Sequence, residues 1–519
     1  MHGQGNWLIE GNIGNLGSMT LEQNLEIMER HREAYWLRYP NTAPFRLRWR
    51  ALTVRHSFHI LPGETILELG AGSGIWTEHL SSVLHGECPI TAATFNADFL
   101  QKAHPLPNVK FVNIDSLVAD LPAESFDYVI GSAIICHELY PQNLAAIYRL
   151  LKPGGQLLFF EANYWNLQVF LKQHVPLLRR FSGEAPCQIG MRQFRLMKAA
   201  SHQGFTNLEI IPYDIIHPLT PRALVPWLQD LAFILDHAPV IQQFCGTLCI
   251  WGKKPGDEAK RRPRVNLAVH PELTDAVSIV VPCYNEEATI PSLVEALIAM
   301  YDPYIHEIVL VNDNSKDRTA EVALEIAKLE PRVKLVNRTP PGGVGRALRD
   351  GYAAAQGKYI LSMDSDFQLI VPELRDMFEA IAQGHEGAIG SRFSYDSVLF
   401  NYPFTKILCN RAFHFLVNLC LPVKVRDISN NLKLYRADIL KNLKIQQDGF
   451  AANVETGLKP ILEGYDVKEV SISWINRTID MGTSSFRIAN VAPNYFMELI
   501  NIIWWAWLRA IKRACKWRT

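Results

Sequence analysis

In the stretch SMDSDFQ, oxygen-bearing side chains stand at alternate positions: Asp364, Asp366 and Gln368. On an extended chain alternate side chains share a face, so two carboxylates and an amide oxygen would point the same way. Such a set suits a hard divalent cation, and it equally suits the solvated end of a strand. The apolar run KYIL comes just before it. The oxygens therefore collect at the C-terminal end of a predicted strand, where open α/β sheets bind ligands.

The elements around this stretch limit the choice. A chain of 519 residues holds two or three ordinary domains. Its apolar content of 48% and charged content of 20% are those of a globular protein. The 52 basic and 52 acidic residues balance, so no basic face argues for nucleic acid. Nine scattered cysteines without a CxxC pair fit free thiols in a reducing cytosol. The N-terminal sequence MHGQGNWLIEGN has neither a basic nor an apolar leader segment. No apolar run reaches the roughly 18 residues of a membrane span. Together these features predict a cytoplasmic protein.

Residues 253–264, KKPGDEAKRRPR, are charged and aperiodic and read as linker. On both sides short apolar runs alternate with helical patterns, which predicts two unrelated α/β domains with mainly parallel sheets. The expected boundaries are 1–254, a linker at 255–272, a second domain at 273–493, and an end helix at 494–519. That helix carries Glu498, Asn501, Arg509, Lys512 and Lys516 at helical spacing among Trp and aliphatic residues. Its basic, Trp-rich character suits a membrane surface, and it also suits packing on its own domain.

The segment ETILELGAGSGIWTEHL reads as strand, glycine turn and helix, with Gly70, Gly72 and Gly74 letting the backbone approach a ligand. The spacing differs from the G-x-G-x-x-G dinucleotide fingerprint. With Glu68 in front, ELGAGSG resembles the first motif of class I S-adenosylmethionine-dependent methyltransferases. VKFVNIDSLVADLP, ESFDYVIGSAIICHEL, IYRLLKPGGQLLFFE and the closing pair FTNLEIIP and CGTLCIWGKK extend the resemblance over about residues 50–254. It implies a Rossmann-like sheet that binds S-adenosylmethionine through Glu68, Gly70, Gly72, Gly74 and, at the adenine amine, Asp115. The family's ribose-binding acid should end ITAATFNADFL, but Thr94 stands there, near Asn96 and Asp98. A hydroxyl supplies no charge-assisted acceptor, so the resemblance also admits a scaffold domain without catalysis. His137 either contacts substrate or is an ordinary polar residue at a strand end.

The second half repeats strand, polar turn and helix in VSIVVPCYNEEATIPSLVEAL and HEIVLVNDNSKDRTAEVA. This series resembles the family 2 glycosyltransferases of GT-A fold, and GGVGRALRDGYAAAQGKYILSMDSDFQ resembles their polyprenyl-phosphate sugar transferases, typified by dolichol-phosphate mannosyltransferase. The resemblance covers about residues 275–490. It implies that Pro282, Tyr284, Glu286, Asp313 and Asp364 bind the nucleotide sugar, with Asn312 and Arg318 departing from the usual turn. It implies that Asp364, Asp366 and Gln368 hold Mg²⁺ or Mn²⁺ at the diphosphate, whose departing charge a cation neutralises. Arg392 in AIGSRFS, Lys406 and Arg411 in YPFTKILCNRAFHF, and Arg477 in INRTIDMGTSSFR would face the acceptor phosphate. Asp427 in VRDISNNLKLYR matches the family's acidic position, with Asn431 and Lys433 substituted after it. Asp366, Asp427 and Arg392 form the implied catalytic set.

Two acceptors follow. A polyprenyl phosphate is already anionic and needs cationic clamps; it would bring the enzyme to the cytoplasmic face of a membrane, with inversion at the sugar. A glycan or small-molecule hydroxyl would instead need Asp427 as general base. The fusion itself suggests that the methyltransferase half acts on a related glycoconjugate.

Overall fold

The computed structural model describes residues 20–117, 120–175, 177–178, 185–256, 270–400, 402–475 and 488–516. The chain splits into two compact units, Met1–Val54 with Pro62–Pro263, and Arg55–Leu61 with Arg264–Thr519. Most of the expected linker, at 257–269, lies outside the described residues.

The first unit is built on β1 (Ile66–Leu69), β2 (Ile90–Thr94), β3 (Val109–Asn113), β4 (Phe126–Ser132), β5 (Leu151–Ala162), β6 (Thr206–Tyr213) and β7 (Thr247–Lys253). Their order is β3-β2-β1-β4-β5-β7-β6. All pairs are parallel except those of β7, which runs antiparallel to β5 and β6. The closing pair read from the sequence is therefore present. β1 and β4 are buried along their full length, as strands covered on both faces must be. Between them the connection reverses direction, which opens a crevice at their C-terminal ends.

The second unit contains β8 (Val277–Cys283), β9 (Ile305–Asn312), β10 (Val333–Asn337), β11 (Tyr359–Ser362), β12 (Gly387–Ser391), β14 (Lys433–Arg436) and β15 (Val467–Ser471), with a small separate pair β13 (Leu399–Phe400) and β16 (Trp474–Ile475). The main order is β10-β9-β8-β11-β14-β12-β15. Along β8 the side chains alternate between two cores. Ile279 and Val281 join the cluster of Leu310 and Leu361, and Val280 joins that of Val309, Val311 and Ile360. Only β14 runs antiparallel to its neighbours, β11 and β12. Its first residue, Lys433, pairs in register with the last residue of β11, Ser362. That reversal places the start of one strand beside the end of another, and the site depends on it.

The end helix runs Ile488–Lys516. It buries some apolar side chains and exposes others. Leu499 and Ile502 are buried in the core, but Phe496, Met497, Trp504, Trp507, Leu508 and Ile511 are exposed. Glu498, one of the polar positions at helical spacing, is 1% exposed. It accepts from Asn501 Nδ2 (3.2 Å) and from Gln447 Nε2.

The glycines at the start of the helix Val344–Ala354, Gly343 and Gly345, lie tight against residues 447–448. A Cβ on Gly345 would stand 2.1 Å from the Gln447 carbonyl oxygen, whereas one on Gly449 would meet nothing within 4 Å. Gly345→Ala should therefore cost about 1–3 kcal/mol through overpacking, and Gly449→Ala should stay within about 0.5 kcal/mol. Hydrogen exchange of the β8 and β9 amides reads both.

Candidate functional sites

The chain after β11 does not stay extended, so Asp364 and Asp366 do not share the strand face expected from their spacing. β11 stops at Ser362, and the Phe367 amide donates to the Asp364 carbonyl at 3.2 Å. Asp366 (φ −83°, ψ 3°) then caps a 3₁₀ helix, Phe367–Glu373. A turn, not a strand face, gathers the carboxylates, and the buried Phe367 ring, edge-on to Trp474 at 5.3 Å, anchors it. The Gln368 side chain lies outside what is described.

Asp364 is the centre of the site. Asn431 Nδ2 donates to its Oδ1 at 3.0 Å. Burial, and then the neighbouring Asp366 charge, raise the Asp364 pKa. Lys433 is fully buried, and burial lowers its pKa to about 7 against the attraction of Asp427 and Asp364. Its ammonium donates to the Asn430 carbonyl. The Asn431 side-chain oxygen is buried with no hydrogen-bond partner. Among the described residues no group of three or more His, Cys, Asp or Glu is arranged to hold a metal. Two carboxylates that repel each other still fit a hard cation, since Mg²⁺ is commonly held by one or two carboxylates together with substrate phosphates.

Beside this set lies a closed ion pair. Arg392, just past β12, donates Nε to Asp427 Oδ2 (2.6 Å) and Nη2 to Asp427 Oδ1 (3.0 Å), and its backbone N–H donates at 3.1 Å. Asn410 Nδ2 and Ser429 Oγ also donate to Oδ1, at 3.2 and 2.9 Å. The Arg392 guanidinium beside the fully buried Asp427 holds its carboxyl well below the usual carboxylate range, against the opposing effect of burial. A carboxylate so occupied is a poor proton acceptor, which works against the base role. Arg392 also donates to Tyr402 Oη (3.2 Å) and Ser429 Oγ (3.0 Å). Arg411 is likewise turned inward, donating to the Arg426 carbonyl and to Asn410 Oδ1 (2.9 Å). Lys406 is half-buried on the helix Phe404–Cys420. Arg477 lies outside the described residues.

The expected nucleotide contacts line the ends of β8 and β9. Pro282, the penultimate residue of β8, is half-buried, Tyr284 is 47% exposed, and Glu286 Oε2 accepts from Thr289 Oγ1 at 2.7 Å. Asp313 is bound within the protein, accepting from the Gly343 N–H (2.6 Å) and from Arg338. Tyr495, carried in by the end helix, donates to the Ser429 carbonyl at 3.3 Å. Neither Tyr495 nor the Asn431 bond was part of the sequence reading.

In the first unit the glycine turn takes the expected form. Gly70, Gly72 and Gly74 have φ of 70°, 59° and 89°, and Gly74 starts the helix Ile75–Val83. Glu68 accepts from Thr77 Oγ1 at 2.7 Å. Asp115 is exposed beyond β3. His137 is buried, with its pKa pushed down to about 4 by burial, and it pairs with Asn143 Nδ2 (2.7 Å) and the Leu139 N–H (3.2 Å). Thr94 is not alone at the end of β2. Its Oγ1 donates to Glu29 Oε2 at 2.9 Å, the Phe95 N–H donates to the same oxygen at 2.8 Å, and the Gly72 N–H donates to Glu29 Oε1 at 2.8 Å. Glu29 belongs to the helix Leu21–Arg38. From that helix Arg32 also donates to the carbonyls of Ser132 (2.5 Å) and Gly70, and Glu33 accepts from Ser73 Oγ. Side chains of that helix therefore stand against the glycine turn.

Comparison with known proteins agrees with this division. The methyltransferase domain family matches residues 66–155, and glycosyl transferase family 2 matches residues 278–444. The chain joins a methyltransferase domain to a family 2 glycosyltransferase domain. The glycosyltransferase domain is similar to polyprenol monophosphomannose synthase of Mycolicibacterium smegmatis, at 26% identity over 47% of this chain and 92% of that one. It is also similar to dolichol-phosphate mannosyltransferase of Pyrococcus furiosus, at 31% identity over 35% of this chain and about half, 52%, of that one. Among solved structures, an S-adenosylmethionine-dependent methyltransferase from Thermotoga maritima aligns over 44% of this chain and 99% of its own (17% identity, TM-score 0.32). Glucosyl-3-phosphoglycerate synthase from Mycobacterium tuberculosis aligns over 44% and 78% (19% identity, TM-score 0.35).

Burial raises the Glu68 pKa in the methyltransferase domain to about 7. The unfolded carboxyl releases its proton near the ordinary value of 4.5, so between those values the folded state binds the proton and the unfolded state does not. This group's contribution to stability should fall by about 3 kcal/mol as pH rises through that window. Glu68→Gln should remove the loss. Its melting temperature relative to the unsubstituted protein should then be higher at pH 8 than at pH 5, and an equal difference at both would contradict the assignment.

Proposed function

We propose that the glycosyltransferase domain transfers a sugar from a nucleotide sugar to a polyprenyl phosphate at a membrane surface, with inversion. The methyltransferase domain would act on a related glycoconjugate. The observation that carries the proposal is the convergence of Asp364, Asp366, Asn431 and Lys433 where β11 ends and β14 begins. The names of the mannosyltransferase relatives support the acceptor class.

Asp364 and Asp366 would hold Mg²⁺ or Mn²⁺ together with oxygens of the donor diphosphate. When bound, the cation supplies charge neutralisation for the departing nucleotide. Lys433 balances the buried acidic cluster from beneath. Asn431 fixes the orientation of Asp364 through its amide. The acceptor phosphate attacks without a base, because it is already an anion. Lys406 is the cation on the helix Phe404–Cys420 that we assign to it, as a point charge without an arginine fork. The Arg392–Asp427 pair positions the loop and takes no proton.

No described helix is long and apolar enough to cross a membrane. Two helices nevertheless expose apolar side chains next to each other. Phe413 of Phe404–Cys420 meets Tyr495 of the end helix at 5.6 Å. The outward residues Phe415 and Leu419 of the first and Trp504, Trp507 and Leu508 of the second are more than half exposed. Exposed apolar side chains on two packed helices suit the interfacial layer of a bilayer.

The test incubates the full chain with a panel of nucleotide sugars, Mg²⁺ or Mn²⁺, and polyprenyl phosphate. Lipid-linked sugar should form and should fall at least about 100-fold in Asp366→Asn, in the range of lost transition-state charge stabilisation. Product on water-soluble acceptors alone would refute the acceptor assignment. In a separate sedimentation assay, Trp504→Ser with Trp507→Ser should reduce binding to anionic lipid vesicles without lowering the melting temperature.

A further inference from the structure

The glycine cradle of the methyltransferase domain is filled by its own chain. Glycines at such a turn keep one side open so that a ligand can approach the backbone. Here a Cβ on Gly70 would lie 2.9 Å from Arg32 Nη2, and one on Gly72 would lie 2.5 Å from Glu33 Oε2. Arg32 shares the space at Gly70 with Ile134 Cδ1, which is nearer at 2.7 Å, Glu33 fills the space at Gly72, and Gly74 faces the Phe111 ring of the sheet. The cavity that remains, bordered by Arg32, Glu33, Trp36, Glu68 and Ser132, measures about 20 Å³. That is room for a water molecule or so, not for a nucleoside carrying a methionine.

The occupants also match the cradle chemically. A guanidinium cation meets the carbonyls of Gly70 and Ser132, at the ends of β1 and β4. Carboxylates meet the Gly72 N–H, the Thr94 hydroxyl and the Ser73 hydroxyl. A cationic sulfonium amino acid bearing a carboxylate would answer the same donors and acceptors. The helix has its own support outside the cradle: Thr20 and Gln23 form a reciprocal capping box, and Leu25 and Met28 are buried in the core.

We infer that the helix Leu21–Arg38 is a built-in competitor of the cofactor, and that Arg32 and Glu33 must leave the cradle before S-adenosylmethionine can enter. The inference rests on the methyltransferase reading of this domain. A competitor within the chain lowers apparent affinity by the fraction of molecules in which the cradle is open. Weakening its hold should tighten binding.

The test measures S-adenosylmethionine binding to the full-length protein by calorimetry. Arg32→Ala with Glu33→Ala should bind at least ten times tighter than the unsubstituted chain. Thr20→Ala touches no cradle residue and only loosens the helix start; it should bind several-fold tighter, which guards against a folding defect in the double variant. Hydrogen exchange over residues 21–38 should speed up when the cofactor is added. Weaker binding by the double variant, or slower exchange in 21–38 with cofactor, would make Arg32 and Glu33 cofactor ligands and overturn the inference. Equal binding by all forms would overturn it and leave the methyltransferase reading standing. No binding by any form at millimolar cofactor would remove both.

Discussion

The buried pair of Arg392 and Asp427 is the constraint on which the glycosyltransferase site depends. A bidentate guanidinium–carboxylate contact offsets its desolvation only when the remaining lone pairs and protons are also satisfied. Here Asn410, Ser429 and Tyr402 satisfy them. Glu469 of β15 accepts the backbone N–H groups of Arg426 and Asp427, at 2.9 and 2.8 Å, and so ties the same loop to the sheet from the other side. The loop then has one course into β14. That course delivers Asn431 and Lys433 to Asp364.

This arrangement sorts the charged residues by job. Arg392 and Asp427 neutralise each other and stay fixed, so neither is available for proton transfer. Asp364 and Asp366 remain a repelling pair, and burial adds to the cost of charging Asp364. Lys433, held where burial lowers its pKa to about 7, offsets the excess negative charge without reaching solvent. The end helix and the helix Phe404–Cys420 both carry exposed apolar side chains. Tyr495 links the end helix to the Ser429 carbonyl inside the site.

Much of this was legible in the sequence. Apolar runs such as VSIVV and EIVLV marked buried parallel strands because both faces must be apolar, and the glycine turns marked where backbone needs positive φ. The spacing of Asp364 and Asp366 suggested a strand face, and it fits equally well the turn closed by Phe367 in which they lie. Glu29 was invisible at the end of β2 because it reaches Thr94 across 65 positions, from a helix with no motif of its own. The inward turn of Glu498 was hidden because helical periodicity gives a stripe but not which side of it faces the core. Asn431 was noted as a substitution, but its bond to Asp364 required the antiparallel placement of β14.

The central claim is that Arg392 and Asp427 act as one structural unit that holds the site. A double-mutant cycle of Arg392→Met and Asp427→Asn tests it most directly, with local stability read by hydrogen exchange at the β12 and β14 amides. Each single substitution should cost about 3–5 kcal/mol, since it leaves one buried group of the pair unmatched. The double substitution should cost clearly less than the sum, with a coupling of at least about 2 kcal/mol. Additive losses, or full local stability in either single variant, would contradict the account.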